Sequence, residues 1–186
     1  MVYKTLVGVS NRHVHISKEH LEILFGKGYQ LKVLREIRQS GQYAAEETVT
    51  LLGKKDLQAR IVGPLRENTQ VEILTSDQYV LGIKVPTKVS GDLNNTPGIK
   101  IKGPKGIINL ENGVMIAEKH LHLSREESKK LNLPDKSRVN LIHENGAKFN
   151  VIVRSGKDHL SEFHLDKDEA ESLNIKTGDY VEIVDY

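Results

Sequence analysis

Five of the eight histidines stand in three short boxes. These are Asn11-Arg12-His13-Val14-His15-Ile16-Ser17, Lys119-His120-Leu121-His122-Leu123-Ser124 and Phe163-His164-Leu165-Asp166. In an extended segment, residues i and i+2 share a face. His13 and His15 can therefore present two imidazoles to one ion, with Val14 turned away, and His120 and His122 can do the same around Leu121. Zinc takes imidazole nitrogen at about 2.0–2.1 Å and keeps an open position in catalytic sites. The chain has no cysteine, so a metal site must use His and carboxylate, and no disulfide framework is possible. The competing interpretation makes these histidines helix caps or core residues with satisfied hydrogen bonds. His20, His143 and His159 are assigned to surface or packing roles. Glu72 shares a strand face with Gln70, opposite Val71 and Ile73, which is also what a solvated strand face looks like.

The elements that must position these residues are mostly strands. Short runs rich in β-branched residues alternate with Gly, Pro and Asn clusters. They predict strands over Lys4–Val9, Thr48–Leu52, Leu57–Val62, Gln70–Leu74, Tyr79–Val85, Ile99–Lys102, Ile107–Leu110, Gly113–Ala117, Arg138–His143, Lys148–Val153 and Tyr180–Val184. Many short strands at this spacing point to a mainly β protein of small closed barrels, in which closure removes the edges. Ser124 with Glu127, and Asp166 with Glu169, have the spacing of capping boxes, and Ser17 is a further cap candidate. The predicted helices, Lys18–Phe25, Arg125–Leu131 and Lys167–Leu173, are near two turns, so tertiary packing must hold them.

An internal repeat joins the boxes to these helices. His122–Ile142 lies over His164–Val184 at a constant offset of 42 residues. His122/His164, Leu123/Leu165, Glu127/Glu169, Leu131/Leu173, Asn132/Asn174 and Val139/Val181 are identical. Each copy has the order His, apolar residue, cap, short helix, turn, strand, so each should bring one histidine to the mouth of a barrel just before a helix. A partial third copy begins at His15-Ile16-Ser17.

Composition narrows the function classes. The 186 residues, 38% hydrophobic and 28% charged, suit one compact domain or two small ones. No apolar run approaches the roughly 20 residues that span a bilayer, and no membrane partner is expected. A net charge of +2 from well-mixed signs, with three Phe and no Trp, gives little footing for nucleic acid. Neither a signal peptide nor a targeting extension is visible, so a cytoplasmic protein is expected. A homo-oligomer is compatible with all of this.

The segments SNRHVHIS, GPLRENTQVEI, PTKVSGDLNNTPGIKIKGPKG, KHLHLS and FHLDKDEA together resemble the successive signature segments of the PduL-type phosphate propanoyltransferases, in the same order over nearly the whole chain. The resemblance implies two small closed β-barrels with short capping helices and a dimetal site between them. The first domain would be discontinuous, 1–11 plus 118–186, and the second would be 12–117. It implies two divalent ions, zinc by preference, held by His13, His15, Glu72, His120, His122 and His164. It makes Arg66 the phosphate-binding, catalytic arginine, in keeping with the planar fork a guanidinium offers. It places Ser10 and Ser90 near coenzyme A. Lys88 and Lys119 stand where the family favours Arg, which puts phosphate or coenzyme A contacts at those two positions in doubt. Members packed into bacterial microcompartments carry an N-terminal amphipathic extension. This chain begins almost at its first strand, so a free cytoplasmic enzyme is expected.

The implied activity is a phosphate acyltransferase acting on a short-chain acyl-CoA, propanoyl or acetyl, with phosphate. Two alternatives are a zinc-dependent hydrolase of acyl thioesters, which the GPLR segment argues against, and a non-catalytic metal-binding β-barrel module. By the repeat, His120, His122 and His164 should share one ion, and His13, His15 and Glu72 the other.

Overall fold

The computed structural model describes residues 3–184. Strands account for 45% and helices for 14%, so the chain is mainly β. In chain order the elements are β1 (Tyr3–Ser10), β2 (His13–His15), α1 (Lys18–Phe25), β3 (Val33–Glu36), β4 (Tyr43–Leu52), β5 (Leu57–Gly63), β6 (Gln70–Glu72), α2 (Asp77–Leu81), β7 (Thr87–Lys88) and β8 (Ile99–Lys102). Then follow β9 (Ile107–Leu110), β10 (Val114–Ala117), β11 (His120–Ser124), α3 (Arg125–Lys130), β12 (Arg138–His143), β13 (Lys148–Gly156), β14 (Glu162–Asp166), α4 (Lys167–Ser172) and β15 (Tyr180–Val184). Two compact units result. One joins the stretch up to Asn11 with the chain from Glu118 onward, and the other runs from Arg12 to Ala117.

The first unit is a closed six-stranded barrel in the order β1-β14-β11-β13-β12-β15. Its two halves are β1, β11, α3, β12 and β13, β14, α4, β15, and they match in register. Leu6 pairs with Glu162 as Ile152 pairs with His120, and Lys4 pairs with Glu182 as Asn150 pairs with Asn140. Each strand's neighbours on both sides come from the other half, so neither half has a sheet of its own. The turns repeat too. Asn132 (φ 51°) and Asn174 (φ 54°) follow the two helices, and Lys136 (φ 67°) and Gly178 (φ 95°) precede the two closing strands.

Period-two alternation sorts the barrel strands. Leu121, Leu123, Phe163 and Leu165, all at most 2% exposed, enter the core. Burying a side chain of this size contributes roughly 1.5–3 kcal/mol. The histidines between them lie on the opposite face of the wall. The Ser124 hydroxyl accepts from Glu127 N at 3.1 Å, and the Glu127 carboxylate accepts from Ser124 N at 2.9 Å. The Asp166 cap keeps only the first half of this exchange, accepting from Glu169 N at 2.9 Å, because the Glu169 carboxylate is bound by Lys119.

The second unit is a half-barrel sheet and not a closed barrel. Its strand order is β7-β10-β6-β2-β5-β4-β8-β9, with β3 added on β4. The end strand β7 has only two residues, too few to carry a closing ladder. A separate core built around Val14, Ile16, Ile61, Val71 and Ile101 lies on one side of it. The expected strand over Tyr79–Val85 is instead helix α2, ended by Gly82 in the left-handed region at φ 71°. The Gln78 side chain accepts from Val85 N at 2.9 Å, folding this segment back on itself. Among the described residues, no helix is long and apolar enough to cross a membrane.

Candidate functional site

The six expected ligand residues come together as two groups of three, one in each unit. His13, His15 and Glu72 form one group and His120, His122 and His164 the other, with candidate donor atoms all within 4.8 Å of one another in each. Both groups are built in the same way. An antiparallel strand pair carries His-x-His on one strand, and the third residue lies directly across from the first histidine. His13 faces Glu72 across β2–β6, and His120 faces His164 across β11–β14. The intervening Val14, Val71, Leu121 and Phe163 point the other way and are fully buried.

In the first group, Nε2 of His13 lies 3.2 Å from Nε2 of His15 and 3.4 Å from Oε2 of Glu72, and His15 Nε2 lies 3.8 Å from Oε1. In the second group, the Nε2 atoms of His120 and His122 are 3.0 Å apart. Tetrahedral bonds of 2.0–2.1 Å would set ligand atoms about 3.3–3.4 Å apart, so the spacing fits a small divalent ion. Ring orientation fits as well. His15 donates from Nδ1 to the Val62 carbonyl at 3.2 Å, and His120 from Nδ1 to the Glu118 carbonyl at 2.8 Å. Both therefore direct an Nε2 lone pair into their groups, the arrangement in which a carbonyl fixes a ligating imidazole.

Burial, with neighbouring charge, keeps His15 and His122 neutral, the form that binds metal. Burial and then the neighbouring His13 push His15 down to about 3, with Glu72 opposing. Burial and then His120, His164 and His159 hold His122 far below the usual imidazole range.

Three supporting residues escaped the sequence reading. His159 was assigned to packing, yet its Nδ1 lies 3.2 Å from Nδ1 of His122, with ring centroids 4.5 Å apart. Gln70 donates to Oε1 of Glu72 at 2.6 Å and to the Ser90 hydroxyl at 2.9 Å, and its carbonyl accepts from Gly91 N. Glu162 sits 2.7 Å from His164. Extending the repeat two residues backward would have placed Glu162 over His120.

The other expected residues are more dispersed. Arg66 is half-buried; its backbone N donates to Ile16 O at 2.9 Å, and its charge helps to lower the His15 pKa. The Ser90 hydroxyl accepts from Gln70. The Ser10 hydroxyl has a long 3.4 Å contact to the Leu165 carbonyl. Lys88 pairs with Asp92 at 3.0 Å and Lys119 with Glu169, so both lysines that depart from the resembled pattern are held by carboxylates.

Fold and site together define a mainly β protein with two buried histidine-rich donor groups on paired strands. Comparison with known proteins gives the family. The chain belongs to the phosphate propanoyltransferase family, whose sequence model matches residues 6–176. It is 47% identical to the phosphate propanoyltransferase of Thermotoga maritima over 97% of this chain and 89% of that protein. It is 39% identical to the phosphate propanoyltransferase of Rhodopseudomonas palustris, covering 97% and 82%. It is 38% identical to the one of Limosilactobacillus reuteri, covering 92% and 83%.

Proposed function

We propose that this protein is a phosphate acyltransferase that interconverts propanoyl-CoA plus phosphate with propanoyl phosphate plus coenzyme A. Similarity to phosphate propanoyltransferases over almost the full chain supports the reaction. The observation that carries the site is the pair of His-x-His groups, each with a third donor directly across the ladder. His13, His15 and Glu72 would hold one divalent ion and His120, His122 and His164 the other, zinc in preference because imidazole and thiolate suit it. The hydrolase and binding-module alternatives find no support in the comparisons.

In the forward direction a phosphate oxygen forms a bond to the thioester carbonyl carbon, the C–S bond breaks and coenzyme A leaves as thiolate. Phosphate at neutral pH is already a nucleophile, so neither serine nor cysteine need form an acyl-enzyme. Arg66 offers phosphate a bidentate, charge-assisted site that orients it and offsets its repulsion of the developing oxyanion. Ser10 and Ser90 are assigned to coenzyme A. Bound divalent ions supply carbonyl polarisation and a partner for the leaving thiolate.

The test is thiol release from propanoyl-CoA by zinc-loaded protein, with and without phosphate, while acyl phosphate is trapped as the hydroxamate. Thiol and acyl phosphate should appear together and only with phosphate. Phosphate-independent thiol release without acyl phosphate would make the protein a hydrolase. Acetyl and butanoyl donors measured beside propanoyl give the chain-length preference.

A further inference from the structure

Arg66, the arginine assigned to phosphate, stands in the connection 64–69 between β5 and β6. Its backbone joins an isolated parallel bridge with Ser17. That bridge is one half of a grip on a single peptide group. Arg66 N donates to the Ile16 carbonyl at 2.9 Å. The N–H of the same peptide belongs to Ser17, and it donates to the Thr69 hydroxyl at 3.0 Å.

Register explains why a side chain does this work. The β2–β6 ladder pairs His13 with Glu72, Val14 with Val71 and His15 with Gln70. Thr69 therefore stands at the next register position, opposite Ile16, where the ladder has ended. A hydroxyl, not a ladder carbonyl, takes the Ser17 N–H. The connection thus closes on the Ile16–Ser17 peptide from both sides, with Arg66 on its oxygen and Thr69 on its nitrogen. The Ile16 side chain is fully buried in the core, which fixes that peptide relative to the sheet.

Thr69 is itself braced. It is 3% exposed. Its hydroxyl lies 3.3 Å from the hydroxyl of Ser17, the N-cap of α1, and 2.8 Å from Nδ1 of His20 in the first turn. The Ser17 hydroxyl also accepts from His20 N at 3.3 Å. Ser17, His20 and Thr69 so form one network between the start of α1 and the end of the connection. His20, assigned to a surface or packing role from sequence, has a specific partner here. Buried polar groups are costly to leave unbonded, and a satisfied network favours one arrangement. With residues 66 and 69 both fixed, the guanidinium has a defined base from which to reach phosphate. Bidentate recognition depends on geometry held in this way.

We propose that Thr69, braced by Ser17 and His20, is a positioning residue: its hydroxyl seats the 64–69 connection on the Ile16–Ser17 peptide and so sets where Arg66 presents its guanidinium to phosphate. The inference rests on the assignment of phosphate to Arg66 under the proposed function.

Residue-resolved amide hydrogen exchange and steady-state kinetics of zinc-loaded protein test it together. In Thr69→Val the Arg66 and Ser17 amides should exchange about tenfold faster, with those of Leu51 and Ile101 in the β4–β8 ladder unchanged. The phosphate KM should rise about three- to tenfold, as expected for one lost hydrogen bond, with the propanoyl-CoA KM unchanged. Thr69→Ser keeps the hydroxyl and should behave as wild type. In an Arg66→Ala background, Thr69→Val should have little further effect on phosphate kinetics, because residues that act through one another are not additive. His20→Ala should shift exchange and phosphate KM in the same direction by less, and it replaces Thr69→Val if that variant does not fold. Unchanged exchange at Arg66, equal losses for phosphate and propanoyl-CoA, or full additivity with Arg66→Ala would overturn the proposal. If wild type releases no thiol with phosphate, the proposed function fails, and the exchange rates still decide whether Thr69 anchors the connection.

Discussion

The two donor groups, each made a square by the residue across the ladder from its second histidine, Glu162 or Gln70, differ in one donor and that fourth residue. On β11–β14 the three donors are imidazoles and the supporting corner is a carboxylate. On β2–β6 the third donor is a carboxylate and the supporting corner an amide. The backbone geometry is the same in both. It takes only an antiparallel pair with the core on one side and donors on the other, which any strand of alternating pattern provides. The difference lies in charge. Three neutral imidazoles leave a divalent ion its full charge, whereas Glu72 cancels part of it and favours harder metals. The all-imidazole square is therefore expected to be the more selective for zinc, and the Glu72 square the more tolerant of manganese or magnesium.

Acid should destabilise both squares in the metal-free protein, and this is the largest expected effect. His15 and His122 are neutral when folded, with values below the ordinary 6.5. The unfolded chain takes up these protons as pH falls through about 6.5, so it binds more protons than the folded chain there, and stability must fall with pH. The loss begins below about pH 6.5 and continues for His15 down to about 3. It amounts to at most roughly 1.4 kcal/mol per pH unit per group. Urea unfolding of chelator-treated protein at pH 7.5 and 5 measures it. Equal stability at both would mean that the rings are not buried neutral.

The supporting corners come next. Gln70→Leu removes the amide that holds Glu72, and should weaken binding at the His13 group about 10–100-fold while leaving the His120 group unchanged. Metal titration of the variant checks it, and equal weakening of both groups would show a general loss of structure. Arg66→Ala should lower phosphate-dependent turnover at least about tenfold, since charge-assisted hydrogen bonds are worth roughly 1.5–3 kcal/mol. The loss should appear in the phosphate kinetics. Normal phosphate kinetics with weakened coenzyme A binding would make Arg66 a coenzyme A contact. The smallest effect is in the caps. Ser124→Ala and Asp166→Ala should each cost about 1 kcal/mol, with Ser124→Ala the larger because only there does Glu127 complete the box. Denaturant midpoints of the two variants decide the order.

Much of the barrel was legible because its strands are apolar and regular. The expected strand Tyr180–Val184 is β15 to the residue, Arg138–His143 is β12, and the 42-residue repeat corresponds to the two barrel halves. The strands that carry the histidines were less visible, whereas β6 with Glu72 falls within the expected strand Gln70–Leu74. β2, β11 and β14 are three to five residues long, and their histidines and Glu162 interrupt the apolar signal by which strands are recognised. The His-x-His spacing nevertheless indicated side chains on one face. Glu162 and Gln70 were illegible as supports because their role depends on cross-strand register, which a sequence without its pairing partners does not reveal. Tyr79–Val85 was misread because a β-propensity run can be a capped helical turn when Gly82 supplies the left-handed residue.

The most direct test of the two-square account is elemental analysis of gently purified wild type, His13→Ala and His120→Ala. Each square should hold its own ion, giving close to two divalent ions per chain in wild type and close to one in each variant. A variant that loses both ions or keeps both, or a fully active wild type with none, would contradict it.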